Sequence, residues 1–470
     1  MSRGKQLFKN TIILAIGQLS SKIFTFLLLP IYTALLTPED FGRIDAIQTV
    51  VSLSMYFVTL QIENSIFRFL IENRNQRQNQ NSYVTNGYYV LTIMSVFFTI
   101  VILIINLLHQ FDYFIIIILL IWAQGFYLYS SNFARGLGNN IDYSIASFVV
   151  TLTSLVVNIL FIVIFKMGGI SIIFALLISN FIGTLYYFIR IKIWEYIDLK
   201  LVDRAQIKEM LNYSLPLIPN AISWWISNTS DRILIMIFLG TACNGVYAAA
   251  NKIPTIYTTL FNIFNIAWSE SVSLSINDED KAEYINKAMN SSLKFFSFIN
   301  LLIILFSSLM FNILIGEKYY NAYNHIYILS IALFINSICS MLGGILTGLM
   351  NTKVIGWTTA LGAVVNAIIN LLFIKKIGLY AASLSTLVSY IVILYFRYKE
   401  VEKNIDLKLE KKYLLEIIFI TILISLGYFL RNIYINIILL FILLLYGWKK
   451  NKPMINSIFN YKKFIRRKDI

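Results

Sequence analysis

Apolar runs of about 18 residues or more follow one another along most of this chain, and they restrict its fold more than any other feature. A helix of that length crosses about 30 Å of hydrocarbon while satisfying all of its own backbone hydrogen bonds. Only 13% of the 470 residues are charged, whereas a soluble domain carries about 25%. The sequence therefore predicts an all-α polytopic membrane protein.

About fourteen spans are expected, and the basic residues orient them. Most of the 39 Lys and Arg residues fall in the N-terminus, in alternate loops and in the tail, so both termini are placed in the cytoplasm. The net charge of +15 then reflects topology and anionic inner-leaflet lipids rather than nucleic-acid binding. The predicted order is an N-terminal six-helix half (1–191), a cytoplasmic amphipathic linker (192–211), a C-terminal six-helix half (212–397), a second cytoplasmic linker (398–412), two extra transmembrane helices (413–448) and a basic cytoplasmic tail (449–470).

A faint internal repeat relates the two halves. At an offset of 203 residues, "LTPEDFGRIDA" falls on "LGTACNGVYAA", and Gly42 coincides with Gly245. Six spans per half is an even number, so both halves enter the membrane from the same side as a parallel repeat about an axis along the membrane normal. Two such bundles leave a cleft between them, which is the architecture of alternating access.

The first copy of this turn also predicts where a helix begins. Thr37 can act as the N-cap, Pro38 suits the first helical position, and Asp40 completes a capping-box-like start. The charge rule places the turn on the outer side, so its acidic residues are poor candidates for catalysis.

Polar residues inside the predicted spans point to a functional cavity, because each costs several kcal/mol unless it is paired or faces water. They concentrate in the predicted spans 1 (10–36), 2 (43–71), 7 (212–239) and 8 (244–276), which are repeat-equivalent. This predicts a polar cavity between the halves. Any one of them could instead belong to a structural pair, such as Glu63 with Arg68. The residues are Lys22, Asp45, Glu63, Asn64, Arg68, Asn228, Asp231, Arg232, Asn251, Lys252 and Glu270.

Prolines concentrate in the same helices. Pro30, Pro216, Pro219 and Pro254 all lie inside the predicted first, seventh and eighth spans. A proline within a span frees backbone carbonyls and bends the helix. Both moving helices and static bends are consistent with this pattern.

Several functional classes lack their signatures. No phosphate-binding loop of an ATPase, nucleophile–base set or metal-ligand cluster stands out, so we expect a protein that is not an enzyme and needs no cofactor. A membrane glycosyltransferase would predict a large external loop, and a channel would predict a short re-entrant filter segment. Neither is found in the sequence.

Three stretches resemble a known family. They are "KNTIILAIGQLSSKIFTFLLLPIYTALLTPEDFG", "QIENSIFRFL" and "SNTSDRILIMIFLGTACNGVYAAANKI". Over about residues 5–400 the chain resembles the bacterial polysaccharide-exporter (Wzx-type) flippases of the multidrug/oligosaccharidyl-lipid/polysaccharide superfamily. The last two spans fit the fourteen-span members.

The resemblance implies a flippase for undecaprenyl-diphosphate-linked oligosaccharides in the bacterial cytoplasmic membrane, serving O-antigen, capsule or exopolysaccharide assembly. Its partners would be membrane lipids and a polysaccharide polymerase and glycosyltransferases of the same pathway. A peptidoglycan-precursor flippase and a multidrug or cation antiporter of the same superfamily stay as alternatives, and a membrane glycosyltransferase is less favoured. The expected substrate-binding residues are Lys22, Arg68, Asn228, Arg232, Asn251 and Lys252. Those expected to couple transport to protons or sodium are Asp231, Glu63 and Glu270.

Overall fold

The computed structural model describes residues 27–73, 76–276 and 278–468, without the side chains of residues 227, 228 and 453–468. Every regular element in this part of the chain is helical, which confirms the all-α prediction. The main helices are α1 (Leu29–Leu35), α2 (Pro38–Val58), α3 (Ile62–Glu72), α4 (Arg77–His109), α5 (Phe114–Gly136), α6 (Asn140–Ile159), α7 (Ile170–Ile191), α8 (Arg204–Ser214), α9 (Leu217–Leu239), α10 (Thr241–Lys252), α11 (Pro254–Ser275), α12 (Lys281–Leu314), α13 (Ala322–Gly348), α14 (Thr352–Ile377), α15 (Leu379–Glu402), α16 (Lys411–Leu430) and α17 (Ile433–Lys468).

The apolar helices confirm a multi-pass membrane protein. Within the described residues, ten helices are long and apolar enough to cross a membrane, and α2 with α3 forms one further bent span. Helices α9 and α11 have 23 and 22 residues, enough to cross, but their intramembrane polar residues lower their hydropathy. Most of the predicted first span lies outside the described residues.

Spans 2, 7 and 8, each predicted as one helix, are broken in the structure. Span 2 bends by 48° between α2 and α3, span 7 is interrupted before α9, and span 8 is interrupted between α10 and α11. Pro216 is the N-cap residue of α9 and Pro254 opens α11. These prolines therefore stand where a missing N–H costs no helical hydrogen bond, and they begin new helices instead of bending continuous ones.

The predicted start of α2 is confirmed. Thr37 has extended backbone, and its hydroxyl oxygen accepts a hydrogen bond of 3.1 Å from the backbone N–H of Asp40. The same hydroxyl donates to the Asp40 carboxylate at 2.7 Å, and Pro38 occupies the first helical turn. The cap satisfies a backbone donor that the first turn leaves without a helical partner.

The helices group into two compact units, one ending at Gly245 and the other beginning at Val246. In the first unit α7 packs against α5 and α6, α3 against α5, and α2 against α9. In the second, α15 packs against α13 and α14, α13 against α11, and α12 against α17. The six-helix halves with boundaries at residues 192–211 stay a prediction.

The linker of the first unit is fixed to α4. The Asn86 side-chain amide donates to the carbonyl of Leu201 at 3.1 Å, and its oxygen accepts from the N–H of Asp203 at 2.9 Å. Asn86 is fully buried, and the hydroxyl of its neighbour Thr85 binds the same linker through another carbonyl and N–H. These buried side chains thus satisfy backbone N–H and C=O groups of the linker, as a neighbouring strand would do in a sheet.

The second unit holds its own linker in the same way. Asn290 of α12 donates to the carbonyl of Lys408 at 2.8 Å and accepts from the N–H of Glu410 at 3.0 Å. One turn earlier, Asn286 binds the preceding segment of linker, accepting from the N–H of Lys408 at 2.6 Å. In both units one asparagine binds a carbonyl and the N–H two residues further on. Both linkers also contain "IDLKL", which supports the expected repeat.

Candidate functional site

The repeat-equivalent glycines are in direct contact. A Cβ atom on Gly42 would lie 1.8 Å from the carbonyl oxygen of Thr241, and one on Gly245 would lie 1.9 Å from the carbonyl oxygen of Pro38. Real Cβ atoms do not approach closer than 3.0 Å, so this junction of α2 and α10 requires a residue without a side chain on both helices. The sequence repeat therefore locates a close backbone contact.

An ion pair lies within one helical turn of this junction, because Asp45 follows Gly42 by three residues on α2. The Arg232 Nη1 atom of α9 is 2.7 Å from a carboxylate oxygen of Asp45 on α2. Asn244 donates to the carbonyl of Gly42 at 2.9 Å and reaches the second Asp45 oxygen at 3.4 Å. Asp45 is only 4% exposed, so its negative charge depends on these partners.

The guanidinium of Arg232 can bind more than Asp45. Its side chain is 26% exposed, and the hydrogen bond to Asp45 uses Nη1. A guanidinium carries five N–H donors in a planar fork, which matches the oxygens of carboxylate and phosphate. The ion pair thus fixes the orientation of Arg232 while part of the group remains accessible to an anionic ligand.

The remaining predicted residues of the first unit are spread over α3 and α9. Glu63 is buried in the first turn of α3, whereas Arg68 on the same helix is largely exposed. Arg68 pairs with Glu72 at 2.6 Å, so the suggested pair of Glu63 with Arg68 is not the one formed. Asp231 is buried beside Arg232 on α9.

The predicted residues of the second unit lie on α10 and α11. Asn251 is half-buried and donates to the carbonyl of Tyr247 in its own helix. Lys252 lies in the last turn of α10, where a cation favours the helix dipole, and Glu270 is exposed on α11. Lys22 and the side chain of Asn228 lie outside the described residues.

Two mainly apolar clefts occur in the second unit. One, of about 320 Å³, is lined by residues of α12, α13 and α16, among them Asn300, Tyr327 and Thr421. The other, of about 390 Å³, lies nearer the second linker and is lined by residues including Leu293 and Tyr413. Their walls suit an aliphatic chain better than a sugar or a phosphate.

The partners that position Arg232 are not among the predicted binding residues. The sequence marks Asp45 only as an intramembrane charge, and nothing local in it points to Asn244. The two carboxylate contacts join residues 187 and 199 positions apart in the chain. The Gly42–Gly245 match was the available signal, because it aligns the two turns whose helices carry these side chains.

Comparison with known proteins identifies relatives of the chain. A family model described as "Polysaccharide biosynthesis protein" matches residues 7–269. A Haemophilus influenzae protein, protein 1 of the Lsg locus, is 35% identical to this chain over 89 residues. The matched residues are 19% of this chain and 22% of that protein. The chain thus matches about a fifth of the length of this relative.

Solved structures share the fold. An inward-facing multidrug resistance MATE family transporter of the MOP superfamily superposes with a TM-score of 0.67 at 14% identity, covering 83% of this chain and 98% of that one. The lipid II flippase MurJ in an inward closed conformation gives a TM-score of 0.65 at 15% identity, covering 94% and 99%. At these identities the likeness shows the fold alone.

Proposed function

This chain belongs to the polysaccharide biosynthesis protein family, and from that premise we propose that it is a lipid-linked oligosaccharide flippase. Its substrate is an undecaprenyl-diphosphate-linked repeat unit, which moves from the inner to the outer leaflet of the bacterial cytoplasmic membrane. Alternating access brings the polar head across while the polyprenyl chain stays in apolar surroundings. The repeat unit serves O-antigen, capsule or exopolysaccharide assembly.

The observation that carries this proposal is the partly exposed Arg232 held by buried Asp45. A diphosphate offers several anionic oxygens, and a guanidinium with unused donors binds them with charge-assisted hydrogen bonds. Asp45 offsets part of the Arg232 charge, so the diphosphate is bound less tightly than by an unpaired cation, which favours release on the far side. Lys252, in the last turn of α10, is another predicted substrate-binding cation of the described residues that we expect to contribute to transport.

The apolar clefts of the second unit support a lipid-linked substrate. A polyprenyl chain needs continuous contact with hydrocarbon while its head crosses. The cleft of about 390 Å³ is lined largely by Leu, Ile and aromatic side chains. A hydrophilic metabolite would gain little from contact with an apolar surface of this kind.

Deletion and complementation test the proposal. A strain that lacks the gene should accumulate lipid-linked repeat units and lose surface polysaccharide, and the wild-type gene should reverse both. Arg232→Ala and Lys252→Ala should each reduce repeat-unit flipping at least about tenfold if each removes about 1.4 kcal/mol of head-group stabilisation. Arg43→Ala is the matched control, because Arg43 is an exposed arginine on α2 that pairs with Glu39.

The same strains separate the alternatives. Accumulation of the peptidoglycan precursor in place of the repeat unit would identify a peptidoglycan-precursor flippase. Drug sensitivity without any lipid-linked intermediate would identify an antiporter. If Arg232→Ala and Lys252→Ala both flip the repeat unit at the wild-type rate, the role assigned to the two cations is wrong.

A further inference from the structure

The break between α2 and α3 leaves backbone groups without helical partners inside the predicted second span. Helix α2 ends at Val58, α3 begins at Ile62, and the two axes differ by 48°. Leu60 and Gln61 adopt left-handed conformations with φ of 49° and 57°. Left-handed backbone is strained for a residue with a Cβ atom, so the surrounding structure must hold this shape.

Three carbonyl oxygens at the end of α2 receive no hydrogen bond from the described residues. The N–H of Thr59 donates to the carbonyl of Met55, which is the last helical hydrogen bond of α2. The N–H of Gln61 donates to the Thr59 hydroxyl, and the N–H of Ile62 donates to the Thr59 carbonyl. In the part of the chain that the structure describes, no donor therefore reaches the carbonyls of residues 56–58. These oxygens lie at the negative end of the α2 dipole.

A buried carboxylate lies at the same break. Glu63 is 4% exposed, and its side chain interacts with the Thr59 hydroxyl and with its own backbone N–H. The other carboxylate oxygen, Oε2, is buried and has no hydrogen-bond partner among the described residues. No Lys or Arg of the described residues forms an ion pair with Glu63. The arginine on the same helix, Arg68, pairs with Glu72. A buried carboxylate with a free oxygen requires a cation or a proton.

We propose that this break is a sodium site, formed by Glu63 Oε2 and the carbonyl oxygens of Tyr56, Phe57 and Val58. Hard cations prefer carboxylate and carbonyl oxygens, and the C-terminal ends of interrupted membrane helices bind Na⁺ in transporters of other folds. One carboxylate balances one Na⁺, so the occupied site is neutral. This inference rests on the proposed function and names its coupling ion.

The location gives the ion a mechanical consequence. Helix α2 has 21 residues and is about 30 Å long, so the break lies at the opposite end of α2 from the Gly42 contact. Bound Na⁺ would join α2 to α3 and fix the bend. Because α2 also carries Asp45, the bend sets the direction in which the partner of Arg232 is held.

Direct binding tests the site. The full chain in lipid nanodiscs should bind ²²Na⁺ saturably, with one ion per protein, and unlabelled NaCl should displace it whereas choline chloride should not. Glu63→Gln should abolish this binding, and Glu63→Asp should weaken it at least about tenfold because the shorter side chain withdraws the oxygen. Glu72→Gln is the control, because Glu72 is an exposed acid on the same helix.

The outcomes separate the ion site from the flippase. Binding that persists in Glu63→Gln, or no saturable binding by the wild-type chain, overturns the sodium site, including the case in which Glu63 binds only a proton. The Glu63→Asp variant keeps the test valid if Glu63→Gln fails to fold. A chain that binds Na⁺ at Glu63 but flips no lipid-linked repeat unit refutes the proposed function alone. Flipping that continues at the wild-type rate in a variant that has lost Na⁺ binding refutes the coupling role given to this ion and leaves the proposed function standing.

Discussion

The Gly245→Ala substitution tests whether the contact between α2 and α10 holds this end of the first unit closed. A methyl group at position 245 would lie 1.9 Å from the carbonyl oxygen of Pro38, and backbone cannot give way as a flexible side chain can. The two helices must therefore separate by about 1 Å or more to restore an allowed contact of 3.0 Å.

The free-energy cost of separating the two helices follows from the hydrogen bonds around the junction. The hydrogen bond from Asn244 to the Gly42 carbonyl is 2.9 Å long, and a separation of about 1 Å takes it beyond hydrogen-bond distance. Leaving a buried polar group unsatisfied costs about 1–3 kcal/mol. In the closed arrangement α2 and α10 are in contact, and in the open one they are separated. A cost of this size would shift the equilibrium towards the open arrangement by about 5- to 150-fold.

The chain contains its own reporter for this change. Cys243 lies in the first turn of α10 and is partly buried, whereas Cys339, the other of the two cysteines, is buried and bonded to a backbone carbonyl. In nanodiscs, Gly245→Ala should accelerate maleimide labelling of Cys243 at least about fivefold if labelling follows the open arrangement. Gly42→Ala should act in the same direction, because it clashes with the Thr241 carbonyl from the other helix.

Gly356→Ala provides the control. A Cβ atom there meets nothing within 4 Å, so labelling and thermal stability should stay at wild-type levels. If Gly245→Ala and Gly42→Ala label at the wild-type rate and retain flipping, the contact does not hold a closed arrangement and the reasoning is wrong.

Three further substitutions test the fold. Thr37→Ala should lower the unfolding free energy in denaturant titrations by about 1 kcal/mol through loss of the α2 cap, and Thr37→Ser should keep it. Asn290→Leu should increase hydrogen exchange across residues 405–410, and unchanged exchange would show that the asparagine does not fix this linker. Arg397→Met should destabilise the second unit by about 1–3 kcal/mol, because the buried guanidinium hydrogen-bonds Thr358 and several backbone and hydroxyl oxygens; a melting temperature equal to wild type would contradict this.

Local features of the chain were predictable because their causes are local. The length and hydropathy of the apolar runs predict membrane helices, since the bilayer leaves the backbone few ways to satisfy its hydrogen bonds. The Thr37–Pro38 start of α2 follows from capping chemistry within four residues. The broken spans were missed, because the hydropathy that predicts a span does not depend on whether the helix continues through Leu60 or Ile253.

Contacts between distant helices required the tertiary structure. The sequence by itself concentrated the polar residues in four equivalent spans and aligned Gly42 with Gly245. It left open that Arg232 binds Asp45 on another helix, 187 positions away in the chain. The Arg68–Glu72 pair is local by contrast, because the two residues are four positions apart on α3. An ion pair between helices forms only where packing brings the groups within about 4 Å, and that distance depends on which helix faces meet. The residue types were determined by the sequence, and the partners on other helices by the packing of the helices.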